Sequence, residues 1–128
     1  MKFLSEEHKD FYYESMETVK HDDVYHRAFF YALGVNADTR NHVKDVFDIK
    51  NDVIKIASLD KGWQTSGSRK VCLFAFNMWN NFTLENETTP SNLFDTSYTE
   101  FFYESLKLRY PSHVYERTTP ANNKGFVK

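Results

Sequence analysis

Val71-Cys72-Leu73-Phe74-Ala75-Phe76-Asn77-Met78-Trp79 carries no charge and a single polar side chain, Asn77. A helix made from this run is apolar all round, and such a helix must be buried. The run follows Gly62-Trp63-Gln64-Thr65-Ser66-Gly67-Ser68-Arg69-Lys70. That loop brings glycine, hydroxyls and two cations to a helix start, where four backbone N–H groups lack intrahelical partners. Two readings follow. In the first, Ser66 or Ser68 caps the helix while Trp63 plugs the core beneath it. Arg69 is then an exposed cation near a positive helix end, and its removal is nearly silent. In the second, Trp63, Thr65, Ser66, Gly67, Ser68, Arg69 and Lys70 form a site for a small anion or nucleotide. The Gly-x4-Gly-Lys-[Ser/Thr] pattern of a phosphate-binding loop is absent.

The rest of the chain repeats the helical period. Ser5 caps a predicted helix over residues 6–20, with His8, Tyr12, Met16 and Val19 on one face and Glu6 and Glu7 in the first turn. Asp22 or Asp23 caps a second over Val24–Leu33, which Gly34 closes as a left-handed residue. Asn36 or Asp38 starts a short third helix through Phe47, and 48–52 reads as a turn. Val53-Ile54-Lys55-Ile56 has β-propensity but no evident partner, so it reads as an irregular extended connection. Residues 81–96 are rich in Asn, Thr, Ser and Pro and form a loop. Ser97-Tyr98-Thr99-Glu100 matches a capping box for a last helix that Pro111 ends.

The expected fold is therefore all-α: four main helices plus one short helix around the central apolar helix at about 69–80. The expected organisation is a single helical domain over 1–111 and an extended or mobile polar tail over 112–128. At 128 residues the chain buries a sufficient core without disulfide or metal. Aromatic residues make up 17% of it, so rings are its main packing material, and some of its eight tyrosines are expected at a contact surface.

Chemistry-bearing patterns are sparse. Residues 1–60 hold 8 Lys/Arg against 12 Asp/Glu, and the excess turns mildly basic only after residue 96, so nucleic acid is not expected as a direct ligand. Cys72, the only cysteine, lies inside the apolar run and reads as a small hydrophobe. His8, His21, His26, His42 and His113 are scattered. His21 and His26 are five apart around Asp22-Asp23, which suits a helix start better than a metal site. Asp10/Glu14 and Glu100/Glu104 share helix faces but read as hydrated surface, and no Gly-x-Ser-x-Gly elbow occurs. No cofactor, metal or catalytic set is expected. The N-terminus turns acidic too early for a signal peptide and no run reaches membrane-spanning length, so the expected location is cytoplasmic.

The front helix with His8 and Phe11-Tyr12, the segment Tyr25-His26-Arg27-Ala28-Phe29-Phe30-Tyr31-Ala32-Leu33-Gly34, the Gly62–Ser68 loop and Ala75-Phe76-Asn77-Met78-Trp79-Asn80 together resemble a family. It comprises small uncharacterised proteins of Firmicutes and their phages and conjugative elements, and the resemblance covers residues 3–110. It carries no catalytic assignment. It implies a mobile-element setting, where small proteins often bind host machinery. The expectation is a non-catalytic interaction protein with a protein partner, for example an inhibitor of a bacterial defence enzyme such as a CRISPR nuclease. The alternative is an anion- or nucleotide-binding module built on the Gly62–Lys70 loop.

Overall fold

The computed structural model describes residues 1–113. Among them are seven α-helices: α1 (Glu6–Thr18), α2 (Val24–Leu33), α3 (Ala37–Asn41), α4 (Val43–Val46), α5 (Ser66–Asn80), α6 (Pro90–Leu93) and α7 (Thr99–Arg109). Strands β1 (Phe47–Asp48) and β2 (Val53–Ile54) form a small antiparallel hairpin, with Phe47 opposite Ile54. The fold is all-α apart from this hairpin.

Helix α5 is buried from Val71 to Phe76, as an all-round apolar helix must be. It shares the centre with α2, whose residues Ala28 to Leu33 are all 0% exposed. Helix α2 packs against α1, α5 and α7. The contacts are mostly ring on ring. Phe74 stacks on Phe102 of α7 at 4.1 Å between centroids, and Phe29 meets Phe30, Phe47 and Trp79 at 4.9 to 5.7 Å. Trp79, expected to be largely buried, is half-buried and packs on this cluster from its edge.

A buried helix must find partners for its last carbonyls. At the end of α2 they come from its own C-cap turn, from α1 and from α3. Gly34 N–H donates to Phe30 and Val35 N–H to Ala32. His8 Nε2 of α1 reaches the Tyr31 carbonyl at 2.8 Å. The Thr39 hydroxyl donates to Leu33 and an Arg40 guanidinium nitrogen to Gly34, the latter at 2.7 Å. Gly34 is not left-handed: its φ is −74°, an ordinary helical value. Glycine is required there by space. A Cβ would lie 2.8 Å from His8 Cδ2, 2.9 Å from Phe11 Cδ2 and 3.3 Å from the Phe30 carbonyl.

The chain departs from the sequence reading in three other places. The single helix expected through Phe47 is broken at His42 into α3 and α4. Phe47 then leaves helical geometry to bury its ring beside Phe29 and Phe30, which makes β1 the partner that Val53-Ile54 lacked. The expected loop at 81–96 contains a 3-10 turn at Glu85–Thr88 and the short α6, with Pro90 at its start. The capping box at Ser97 does not form. Helix α7 begins at Thr99 without a side-chain cap, and the Thr99 hydroxyl donates instead to the Phe94 carbonyl at 2.6 Å. Residues 111–113 form a 3-10 turn, and the expectations for the tail beyond them lie outside the described residues.

Two substitutions test this packing. Gly34→Ala should lose about 1–3 kcal/mol through overpacking against His8 and Phe11, although alanine at a helical φ would otherwise stabilise by restricting the unfolded chain. Phe74→Ala should lose about 3–5 kcal/mol. Urea denaturation measures both, and a gain of stability in the glycine variant would refute the close approach.

Candidate functional site

The Gly62–Lys70 loop is bonded almost entirely to its own chain. Thr65, not Ser66 or Ser68, is the N-cap of α5: its hydroxyl accepts from Ser68 N–H at 3.1 Å. Ser68 returns the contact, its Oγ accepting from Thr65 N–H at 2.8 Å and donating to Gln64 Oε1 at 2.6 Å. This is a reciprocal capping box with Ser in the place usually held by Glu or Gln. Gln64 also donates to the Ser58 carbonyl at 3.1 Å. Trp63 stacks on His42 at 4.3 Å, and its indole N–H donates to Asp45 at 2.9 Å, so the loop is fastened to the α3–α4 corner.

The two cations are engaged as well. Arg69 grips Glu87 through Nε (2.8 Å) and Nη2 (3.1 Å) and donates to the Leu59 carbonyl at 2.9 Å. Lys70 donates to the Asp95 carbonyl at 2.7 Å. A cavity of about 300 Å³ lies beside them, lined by Ser66, Arg69, Lys70, Leu73 and Glu87 among others. A Cβ on Gly67 would make only an ordinary 3.8 Å contact with the Thr65 hydroxyl, and its φ is not positive. The loop thus brings all seven candidate residues to one end of α5. The hydroxyl of Ser68 and both cations already have protein partners there. Arg69 is not the free surface cation of the sequence reading, because Glu87, eighteen residues on, is folded against it.

A second depression has no counterpart in the sequence reading. A groove of about 540 Å³ runs between α1 and the α3–α4 corner. Phe11, Phe30, Val43 and Ile49 supply its apolar lining, and Arg40 and Lys44 its positive charge. Ion pairs among the described residues use neither cation. Arg40 spends one nitrogen on Gly34, and Lys44 has an exposed side chain. Glu14, Ser15 and Thr18 of α1 line the groove too. No periodicity announces this site, because its residues come from four helices and the β1–β2 turn.

Buried titratable groups elsewhere have assigned partners. The Cys72 thiol is pushed up to about 11 by burial, which keeps it a neutral packing group. His8 is 0% exposed, donates through Nε2 to Tyr31 and accepts at Nδ1 from Leu4 N–H at 3.0 Å. It is therefore held neutral, its pKa lowered by burial and further by Arg40, against the pull of the Tyr31 carbonyl. His26 is the opposite case. Its two ring nitrogens each lie 2.7 Å from a carboxylate, Asp23 and Asp52. Burial works against the charged ring, but the bonds to Asp52 and Asp23 outweigh it and its pKa is raised. Among the described residues no group of three or more His, Cys, Asp or Glu is placed to hold a metal ion, and no helix is long and apolar enough to cross a membrane. Every buried side-chain nitrogen and oxygen among them has a partner.

A model for a family of unknown function, DUF6075, matches residues 1–122. The chain belongs to this family. No curated protein and no solved structure matches it. The matched span contains the α5 capping loop, the groove and both buried histidines.

Arg69→Ala should cost about 1 kcal/mol, for a half-exposed bidentate pair plus one backbone contact, and millimolar phosphate should leave the melting temperature of the wild type unmoved. A phosphate-dependent rise that the variant loses would revive the anion reading. The contribution of His8 is complete above its unfolded pKa of about 6.5 and falls as pH drops toward its lower folded value. Urea titrations between about pH 8 and 5 should therefore show a shallower acid loss in His8→Gln than in the wild type.

Proposed function

We propose that the protein is a non-catalytic protein-binding module whose α1/α3–α4 groove takes a partner segment presenting a large apolar side chain flanked by carboxylates. The observation that carries this reading is the groove itself. Its apolar lining comes with two cations, Arg40 and Lys44, that have no carboxylate partner among the described residues. An apolar anchor in a pocket beside complementary charge is the usual anatomy of a peptide site. The volume falls within the range of ligand-binding pockets. Ile49, exposed at the groove wall, offers additional apolar contact area.

The resemblance to proteins of phages and conjugative elements, rather than any geometry, points the module toward host defence enzymes, with inhibition of a CRISPR nuclease as one such role. The alternative, anion binding at the Gly62–Lys70 loop, draws less support, because its recognising groups are already bonded within the chain.

The test is fluorescence polarisation with a labelled octapeptide in which one Phe is flanked by Glu, against the same peptide with Lys for Glu. The acidic peptide should bind, and its affinity should weaken as salt rises. Lys44→Glu and Ile49→Asp, both at exposed positions, should each weaken it by about tenfold, a loss on the order of 1.4 kcal/mol. Equal binding of both peptides, binding of neither, or insensitivity to both substitutions would refute the reading.

A further inference from the structure

His26 stands at the start of α2 with its side chain 3% exposed, beneath the turn that joins β1 to β2. Nδ1 lies 2.7 Å from Asp23 Oδ1 and Nε2 lies 2.7 Å from Asp52 Oδ1. A neutral imidazole has one N–H and one lone pair. It satisfies one of these contacts and turns its lone pair on the other carboxylate. The imidazolium donates to both. The geometry therefore requires a charged ring whenever both contacts exist.

The surroundings hold the ring in place without competing for it. Trp79 of α5 meets it edge-on at 4.8 Å, and Phe47 of β1 lies 6.5 Å away. From the α1–α2 connection His21 brings its ring within 6.4 Å. On α2 the neighbouring charges are Asp23 itself and the Asp22–Arg27 pair. On the hairpin it is Asp52, with Asp48 occupied by Asn51. Asp52 has a left-handed φ of 60° and donates its N–H to Asp48 at 2.7 Å. A 3.5 Å contact from Lys20, in the α1–α2 connection, to the Lys50 carbonyl also reaches this turn. Phe47, below the turn, is fixed in the core.

We propose that protonation of His26 latches the 48–53 turn, and with it the Ile49 wall of the groove, to the start of α2. Loss of the proton removes the bond to Asp52, and the turn opens while Phe47 keeps the base of the hairpin in place. A raised histidine pKa belongs to this arrangement, so the latch holds below the unfolded value of about 6.5 and fails as pH rises through the higher folded value. Only the consequence for binding rests on the groove reading. The latch does not.

Amide hydrogen exchange by NMR tests it, read at the Asn51 and Asp52 amides and corrected for intrinsic exchange, from about pH 6 to 9. Wild-type protection should fall by about tenfold for each pKa unit by which the fold raises His26. In Asp52→Asn the fall should vanish while protection persists at high pH. The asparagine amide donates to the lone pair at Nε2 while Nδ1–H donates to Asp23, and asparagine accepts the left-handed backbone. His26→Gln, never charged, should show low protection at every pH. A flat wild-type profile, or an equal fall in Asp52→Asn, overturns the latch, whereas a purely structural Asp52 predicts low protection in Asp52→Asn at all pH values and overturns it too. The acidic octapeptide should bind more weakly at high pH in the wild type but not in Asp52→Asn. If it binds at no pH the groove reading fails, and the exchange data still decide the latch.

Discussion

A helix buried on every side has nowhere to leave its backbone unpaired, and α2 sets the terms for everything around it. Its core-facing rings exclude water from its last turn, so the carbonyls there must be met by protein. Residues as far apart as His8, Thr39 and Arg40 meet them. These contacts fix α1 against the end of α2 and pull the following chain into the α3–α4 corner. Close approach of His8 and Phe11 then dictates a glycine at position 34. The groove follows as a by-product. It is the depression left between α1 and the corner where both converge on α2.

Two buried histidines show how the same side chain serves opposite ends. His8 sits between a carbonyl acceptor and a backbone donor, a pairing that suits a neutral ring. His26 sits between two carboxylates, a pairing that suits the cation. The first contact is complete by neutral pH, and only the second weakens as pH rises further. A pH response confined to the hairpin turn is therefore compatible with a firmly held core.

At α5 the start of the central helix is equally self-sufficient. Thr65 and Ser68 satisfy each other's backbone, Gln64 completes the set, and Arg69 is drawn to Glu87. A ligand arriving there would have to displace bonds already made. The groove, whose Arg40 and Lys44 have no carboxylate partner among the described residues, presents the more receptive chemistry.

Local pattern was enough to place α1, α2 and α5, since their signals are an apolar period, a capping side chain and the absence of breakers. Ser5 and Asp23 cap where the sequence says they should, and Val24–Leu33 is recovered residue for residue. The same reasoning located the α5 loop and its hydroxyl cap, but assigned the cap to Ser66 or Ser68 because it had no means to weigh reciprocal geometry against Thr65. It failed at Phe47, where a local helical period lost to the burial of one ring among Phe29, Phe30 and Trp79. The Arg69–Glu87 grip, the meeting of His26 with Asp52, and a groove assembled from four helices and a turn each join residues that are distant in sequence. Sequence alone determined that α1, α2 and α5 are helices and that α2 and α5 must be buried, because that information is periodic and local. Tertiary structure alone decided which charges are satisfied and which are left open to a partner, because a charge is settled by whatever the fold brings within about 3 Å of it.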